Sequence, residues 1–271
     1  MTKTVLITGT SSGLGRATAR LFHMKGWNVI ATMRTPELET EFNSLDRMLV
    51  ARLDVQDIAS IQQAVDAGIT RFGHIDVLIN NAGYGTYGPL EATSIEAIRR
   101  QFEVNALGPL ATIKAVLPHF RERRAGSVVN ISSMGGRVAF PLGTPYHGTK
   151  FALEGMSEAL QYELGEIGVR VKLVEPGMIK TDFGGRSFDF NNNADLVEYQ
   201  PFVQSVMSAF GPIMAVGAEP EHTAEVVHKA AIDQTDQLRF EAGEDAVQLL
   251  GHRSNVDDKT FFAEIKTNFT R

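Results

Sequence analysis

A chain of 271 residues, 43% of them hydrophobic, is long enough to bury the core of one large α/β domain, and we expect residues 1–271 to form a single domain. Its 26 basic and 32 acidic residues give a net charge of -6 without a basic cluster, which argues against nucleic acid as a partner. The chain has no cysteine and no apolar run of about 18 residues, so we predict no metal site, no disulfide and no membrane span, and a cytoplasmic location.

The first predicted elements are a strand, a glycine-rich loop and a helix. Residues 4–8 form a continuous apolar and β-branched run, typical of a strand buried on both faces of a parallel sheet. Glycines let a backbone approach a pyrophosphate, and a helix N-terminus offers free N–H groups and a partial positive charge. A plain βα turn is the alternative to a dinucleotide-binding turn. The dinucleotide-binding residues would be Gly9, Ser11, Ser12, Gly13, Leu14 and Gly15.

The second and third predicted strands end in residues that bear on the cofactor. The strand over residues 28–32 ends in Met33 and Arg34, where an NAD site usually places a carboxylate and an NADP site needs a cation, so the sequence favours NADP(H) over NAD(H). The strand near residues 48–53 ends at Asp54 and Val55. Asp54 is expected to accept a hydrogen bond from an adenine amino group, to cap the helix that starts near Ile58, or both.

Polar residues also follow the fourth predicted strand, over residues 75–79. Asn81, Ala82 and Gly83 can pin the neighbouring backbone and leave room for a flat ligand, although a simple turn has the same composition. Further along, Asn105 is a polar residue in an otherwise apolar-faced helix. A buried amide requires hydrogen-bond partners, so we expect Asn105 to have a specific role.

The fifth predicted strand, over residues 127–131, leads through Ser132 and Ser133 to a helix that contains Tyr146 and Lys150. Residues four apart share a helix face, so the ammonium can lie beside the phenol as an acid/base pair, unless the two merely occupy a solvated face. A sixth strand over 169–174, a helix from Pro220 through residue 231 and a last strand over 238–240 complete the pattern. Residues 183–215 change composition and are predicted to form a substrate-binding lid or insertion.

These motifs, in this order, resemble the classical short-chain dehydrogenase/reductase family over roughly residues 3–182. The motifs are Thr8-Gly-x-x-x-Gly-x-Gly15, Asn81-Ala-Gly83, Asn105, the serine pair, Tyr146-x-x-x-Lys150 and Pro176-Gly177. The stretches 146–155 and 31–34 are similar to the NADP-preferring 17β-hydroxysteroid and retinol dehydrogenase branch. The resemblance implies a Rossmann-type, doubly wound parallel sheet of about seven strands and a homodimer or homotetramer.

The resemblance also implies the site roles. Tyr146 would be the general acid/base, and Lys150 would contact both Tyr146 and the nicotinamide ribose. Ser133, which lies the family's usual thirteen residues before Tyr146, would hold the substrate oxygen. Asn105 would hold a water of a proton relay. The residues expected to contact the cofactor carboxamide and phosphates are Pro176, Gly177, Ile179 and Thr181.

The role of Lys150 has an energetic argument of its own. Lowering the pKa of a phenol from about 10 to near 7 requires about 4 kcal/mol. A cation about 4 Å away supplies that order of energy at an effective dielectric constant near 20. We therefore predict that Lys150, helped by the positive charge of an oxidised nicotinamide, lowers the pKa of Tyr146.

The predicted activity is an NAD(P)-dependent interconversion of a ketone and a secondary alcohol. The lid residues suggest an apolar pocket for a lipophilic or aromatic substrate, unless they pack the lid onto the core or form a subunit interface. A catalytically silent NADP(H)-binding regulator and a nucleotide or methyl-donor enzyme are the alternative functions. The apolar lid residues are Phe183, Phe188, Phe190, Tyr199, Phe202, Met207, Phe210 and Met214.

Overall fold

The structure, a computed structural model, describes residues 2–180, 187–215 and 217–269. The strands in these ranges are short and mostly apolar. They are β1 Thr4–Thr8, β2 Asn28–Met33, β3 Met48–Arg52, β4 Val77–Asn80, β5 Gly85–Tyr87, β6 Gly126–Ile131, β7 Val169–Pro176, β8 Phe188–Phe190 and β9 Arg239–Ala242.

Seven of these strands form one parallel sheet in the order β3-β2-β1-β4-β6-β7-β9. Val5 of β1 lies opposite Val29 on one side and Val77 on the other. The strand order reverses between β1 and β4, and such a switch point leaves a crevice at the carboxyl ends of the strands. The predicted α/β doubly wound parallel sheet is confirmed.

Helices cover both faces of the sheet. They are α1 Gly13–Met24, α2 Ile58–Phe72, α3 Ile95–Phe102, α4 Gly108–Arg123, α5 Thr144–Gly165, α6 Gln200–Ala215, α7 Pro220–Ile232, α8 Glu244–Asn255 and α9 Asp258–Phe269, with a π-helical turn, Glu103–Leu107, between α3 and α4. In the described ranges, no helix combines the length and apolarity that a bilayer crossing requires.

The two faces of the sheet have separate cores because successive strand residues point to opposite sides. Val5 and Ile7 pack with α1 and α7, where Phe22 and Val227 are fully buried. Leu6 packs on the other side, with residues of α2 and α4. This double burial explains why β1 is apolar at every position but its ends.

The segment predicted as a lid contains regular structure. Residues 188–190 pair in parallel with β5 to make a two-stranded sheet outside the main one, and α6 occupies residues 200–215. Three-residue strands are too short to show a periodicity of two. The sequence therefore gave no signal for this small sheet.

Candidate active site

The loop after β1 has the close backbone packing that a phosphate-binding turn requires. Gly9 and Gly13 adopt φ values of 73° and 53°, in the left-handed region that favours glycine. A Cβ on Gly15 would lie 2.2 Å from the carbonyl oxygen of Gly9 and 2.4 Å from the Asn81 amide nitrogen. Only glycine fits at position 15, and the loop backbone stays open toward the cavity.

Asn81 holds this loop in place from the next strand. Its side-chain nitrogen donates hydrogen bonds to the carbonyl oxygens of Thr8, at 2.9 Å, and Gly9, at 3.0 Å. The Thr8 hydroxyl accepts the N–H groups of Asn81 and Ala82, both at 3.0 Å. The expectation that Asn81 pins a neighbouring backbone is confirmed, and its amide is used within the protein.

The N-terminus of α1 faces the same cavity with its polar groups available. Ser12 is the N-cap residue, and its side chain makes no capping hydrogen bond. The first turn contains no acidic residue, so the positive end of the helix dipole is not neutralised there. Ser12, Gly13 and the preceding Ser11 line the cavity, which suits an anionic group such as a pyrophosphate.

The end of β2 presents a cation to the cavity. Arg34 is exposed and lines the cavity, and among the described residues no ion pair engages its side chain. Arg16, on α1, is held instead by Glu39, 2.6 Å away, and by Glu41. Arg34 is therefore the basic side chain that remains available beside the end of β2.

Asp54 and Val55 line the cavity at the end of β3, as predicted, but the expected capping role of Asp54 is wrong. Asp57 caps α2, with its carboxylate accepting the N–H of Ser60 at 3.1 Å. Asp57 stands immediately before the helix, which is the position that a capping side chain needs. The Asp54 carboxylate accepts the N–H of Gln56, at 3.1 Å.

The phenol of Tyr146 is buried at the start of α5, with 7% of the residue exposed. Burial raises the pKa of Tyr146 above its usual value of 10, and a hydrogen bond with Ser133 acts in the opposite direction. Ser133 also accepts the N–H of Gly135, at 2.9 Å. The structure thus brings Ser133 and Tyr146 together, as predicted.

In the protein alone, burial and not the Lys150 charge sets the shift in the pKa of Tyr146, and the lowering by Lys150 together with an oxidised nicotinamide stays a prediction. The Lys150 nitrogen lies 5.9 Å from the centre of the Tyr146 ring and donates a hydrogen bond to the carbonyl oxygen of Ile131, 2.8 Å away. Burial lowers the pKa of Lys150 itself to about 8, with the charge of Glu154 acting against that shift. Desolvation therefore dominates both groups of the pair.

Asn105 does not line the cavity. It is 2% exposed in the π-helical turn, where its amide nitrogen donates to the carbonyl of Tyr84 at 2.8 Å and to the hydroxyl of Thr149 at 3.3 Å. Its amide oxygen accepts the N–H of Tyr84 at 3.1 Å. The hydroxyl of Thr149 donates to the backbone carbonyl of Tyr146 at 2.7 Å. The Asn105 side chain thus supports α5, while its relay role stays a prediction.

The segment after β7 is fixed by a residue that the sequence analysis missed. Asp245, in the first turn of α8, accepts the N–H of Met178 at 2.7 Å. A Cβ on Gly177 would lie 2.1 Å from the Asp245 carboxylate, so glycine is required there. Thr181 lies outside the described residues.

These elements surround one cavity of about 600 Å³. It is lined by all the predicted site residues in the described ranges except Asn105. They are Gly9, Ser11, Ser12, Gly13, Leu14, Gly15, Arg34, Asp54, Val55, Asn81, Ala82, Gly83, Ser133, Tyr146, Lys150, Pro176, Gly177 and Ile179. The glycine-rich cradle, the helix N-terminus and the adjoining Arg34 suit an elongated dinucleotide with several negative charges.

One wall of the cavity is aromatic. The ring of Tyr87 lies 5.4 Å from that of Tyr146 and 5.1 Å from that of Phe188, with which it stacks. The small sheet of β5 and β8 produces this stack, which the sequence analysis missed. Phe210 also lines the cavity, whereas Phe190 stacks 5.9 Å from Phe188 and is not a lining residue.

The other lid residues divide into two groups. Tyr199 and Met207 are 37% and 38% exposed, and neither they nor Phe202 line the cavity. Phe183 and the side chain of Met214 lie outside the described residues. The lid therefore supplies two described apolar side chains to the site, fewer than predicted.

His147 was also missed and holds the loop that carries Ser133. Its Nε2 accepts the N–H of Phe140 at 3.0 Å, which leaves Nδ1 to donate to the carbonyl of Gly135 at 2.8 Å. Burial lowers the pKa of His147, which favours this neutral form. In the part of the chain that the structure describes, no three His, Asp or Glu side chains gather as a metal site would require.

The sequence and the fold are similar to those of known proteins. Residues 3–192 match the family described as short chain dehydrogenase. The chain belongs to this family. It is 34% identical over 255 residues to retinol dehydrogenase 8 of Bos taurus, across 88% of this chain and 80% of that protein.

Two solved structures extend the comparison. A short-chain dehydrogenase from Streptomyces avermitilis is 35% identical, with a TM-score of 0.80 over 100% of this chain and 98% of that one. ElxO, solved with NADP bound, is 27% identical, with a TM-score of 0.71 over 89% and 98% of the two chains. This short-chain dehydrogenase is therefore an oxidoreductase of alcohol and carbonyl groups that uses a nicotinamide cofactor.

Proposed function

We propose that this short-chain dehydrogenase interconverts a lipophilic ketone and a secondary alcohol with NADP(H), and that Tyr146 is its general acid and base. The observation that carries the proposal is the meeting of Ser133, Tyr146 and Lys150 on the wall of the cavity that the glycine loop opens into. A silent regulator of the same fold would have no use for this arrangement.

The protein's own groups account for the proton transfer. A bound nicotinamide supplies or accepts the hydride. In the reductive direction, Tyr146 donates its proton to the substrate oxygen, which the hydroxyl of Ser133 holds by a hydrogen bond. The raised pKa of Tyr146 keeps the phenol protonated at neutral pH, which suits this donation. The ammonium of Lys150 then stabilises the phenolate that forms.

Arg34 supports the preference for NADP(H). It is a cation beside the end of β2 that no carboxylate neutralises among the described residues, and Met33 stands where a carboxylate would favour NAD. The NADP found in ElxO, which has the same fold, agrees with this choice.

The aromatic wall supports a lipophilic substrate. Tyr87 and Phe188 stack beside Tyr146, and Met134, Phe140 and Phe210 continue the apolar lining. Such a surface gains free energy from an apolar or aromatic ligand and offers few partners to a sugar hydroxyl. Retinol, named in the relative retinol dehydrogenase 8, has this lipophilic character.

We also infer that the chain forms a homo-oligomer. Phe102, Leu107 and Phe151 are 38%, 49% and 46% exposed, and Phe102 adjoins Gly148, one turn from Phe151. Exposed apolar side chains of this kind suit contact with a second copy. Light scattering from purified protein should give a multiple of the 29.6 kDa chain mass. A monomer at all concentrations would contradict this inference.

An absorbance assay at the reduced-nicotinamide band tests the activity itself. Apolar and aromatic ketones and alcohols, and small sugars as matched polar substrates, are supplied with NADP(H) and NAD(H) in parallel. We expect turnover of the apolar compounds with NADP(H) in preference to NAD(H). Turnover confined to sugars would rule out the lipophilic substrate, and NADPH binding without turnover of any compound would indicate a regulator.

A further inference from the structure

Two buried glutamates and two partly exposed arginines form a charged cluster close to Lys150. Arg239 of β9 places its Nε 3.0 Å from Glu154 of α5 and 3.2 Å from Glu175 of β7. Arg137, which follows the serine loop, lies 3.6 Å from the other oxygen of Glu175. The cluster therefore joins the segments that carry Ser133, Lys150 and the Pro176-Gly177 turn.

The two carboxyl groups are in an unfavourable environment. Glu175 is 0% exposed and Glu154 is 5% exposed. Among the described residues, neither oxygen of Glu175 has a hydrogen-bond partner, whereas Glu154 accepts a hydrogen bond from Arg239 at 3.0 Å. Buried carboxylates destabilise a fold unless they are paired and hydrogen-bonded, so stability alone does not account for this cluster.

Repulsion between the carboxylates of Glu154 and Glu175, which both lie beside Arg239, favours a state in which one of the two is protonated. Burial, followed by the charge of Glu154, raises the pKa of Glu175 to about 7, and burial also raises the pKa of Glu154. The hydroxyl of Ser132 lowers the pKa of Glu154. Arg239 and Arg137 lower the pKa of both groups, and Glu241 adds to the rise at Glu175. The geometry favours the proton on Glu175, whose oxygens accept no hydrogen bond among the described residues, and the charge on Glu154, which accepts one from Arg239.

Glu154 lies one helical turn after Lys150, so their side chains share a face of α5. Burial lowers the pKa of Lys150 to about 8, and the charge of Glu154 is the influence that opposes this loss of the proton. The ammonium is 2.8 Å from the Ile131 carbonyl, a neutral partner that cannot replace a carboxylate. The charge of Glu154 thus favours the charged state of Lys150.

We propose that Glu154, held by Arg239 against Glu175, is a positioning residue that keeps Lys150 charged beside Tyr146. The consequence for turnover rests on the proposed function, because Lys150 acts on substrate chemistry only there. The charge of Lys150, however, can be measured without turnover.

The test follows the 13Cε chemical shift of Lys150 in protein labelled with 13C-lysine, assigned with Lys150→Arg, across a pH titration. Wild type should titrate near pH 8. In Glu154→Gln the midpoint should fall by about one pH unit, since removal of a nearby opposite charge has that order of effect. Glu158→Gln is the matched control. It removes a carboxyl that contacts the same Arg239, at 2.5 Å, but lies two turns from Lys150, so the midpoint should not move.

Glu175→Gln separates charge from packing. It disturbs the same buried cluster but leaves Glu154 charged, so the Lys150 midpoint should not fall. An equal fall in Glu154→Gln and Glu175→Gln, or no fall in Glu154→Gln, would overturn the proposal. If Glu154→Gln does not fold, Glu154→Asp replaces it, because aspartate keeps the negative charge. The Lys150 midpoint in Glu154→Asp should then fall by less than about half a pH unit. A full shift in the aspartate variant would also overturn it.

With the charge result established, the pH dependence of kcat/KM should show the same displacement of its alkaline limb in Glu154→Gln. Absence of turnover in wild type would remove the proposed function but leave the titration result intact. A normal alkaline limb in Glu154→Gln, together with a shifted Lys150 titration, would contradict the positioning role.

Discussion

The carbonyl oxygen of Gly9 lies so close to Gly15 that a Cβ at position 15 would be only 2.2 Å from it. The first turn of α1 is thereby pressed against the end of β1. Asn81 closes the arrangement from β4 by donating to the same carbonyl at 3.0 Å. We therefore expect this contact to affect both fold stability and cofactor binding.

Gly15→Ala should therefore lose both properties. We expect the free energy of unfolding to fall by about 1–3 kcal/mol, as for other overpacked sites, and NADPH affinity to fall at least about tenfold. Gly155→Ala is the control, because a Cβ at this helical position meets nothing within 4 Å. It should gain up to about 1 kcal/mol. Denaturant unfolding measures the change in stability, and fluorescence titration measures the change in NADPH affinity. Normal NADPH binding by Gly15→Ala would contradict the proposed role of the glycine loop.

Arg34→Gln should change the cofactor preference. Hydrogen bonds to a charged group contribute about 1.5–3 kcal/mol, so NADPH affinity should drop about 10- to 100-fold while NADH affinity stays the same. Arg20→Gln is the matched control, since Arg20 contacts Glu41 and does not line the cavity. Titration of each variant with both cofactors gives the answer. Equal losses of affinity for NADPH and NADH would show that Arg34 does not bind the 2'-phosphate, the group that only NADPH carries.

Phe188→Ala should affect lipophilic substrates selectively. Loss of a buried aromatic contact costs about 1.5–3 kcal/mol, so kcat/KM for an apolar ketone should fall about 10- to 100-fold. A small ketone that does not reach the stack of Tyr87 and Phe188 should be little affected. Phe262→Ala, at a residue that is 55% exposed on α9, serves as the control. Unchanged kinetics with the apolar ketone would place the substrate elsewhere.

Glu175→Gln should change how stability depends on pH. The pKa of Glu175 rises on folding from 4.5 to about 7, through burial and then the charge of Glu154. The stabilising contribution of this raised pKa is complete below the unfolded value and is lost as the pH rises through about 7. Glutamine resembles the protonated acid and has no such loss.

The melting temperature of Glu175→Gln relative to wild type should therefore increase as the pH rises from about 5 to about 8. Scanning calorimetry of the two proteins in matched buffers measures this difference. Groups that titrate equally in both proteins cancel in the difference. A difference that is constant with pH would mean that Glu175 is already ionised throughout the range.

Elements set by local sequence were predictable. The strand β1 is marked by a continuous apolar run, the glycine loop by its spacing, and the start of α7 by Pro220. Tyr146 and Lys150 share a helix as their spacing indicates. Each of these features depends on the periodicity of apolar residues or on a backbone conformation that glycine or proline favours.

Features that join distant parts of the chain were not predictable. Arg239 meets Glu154 and Glu175 only because β9 adds to the sheet beside β7. Burial raises the pKa of Tyr146 in the protein alone, and residue spacing does not reveal burial. Glu154 did carry a signal, since it stands four residues after Lys150.

Tyr146→Phe tests the central claim most directly, because it removes the phenolic hydroxyl and keeps the ring that packs 5.4 Å from Tyr87. Single-turnover oxidation of NADPH by an apolar ketone should slow at least about 100-fold, as general acid catalysis contributes that much. NADPH affinity and the melting temperature should match wild type. A variant that binds NADPH normally and reduces the ketone at a near-normal rate would contradict the role of Tyr146.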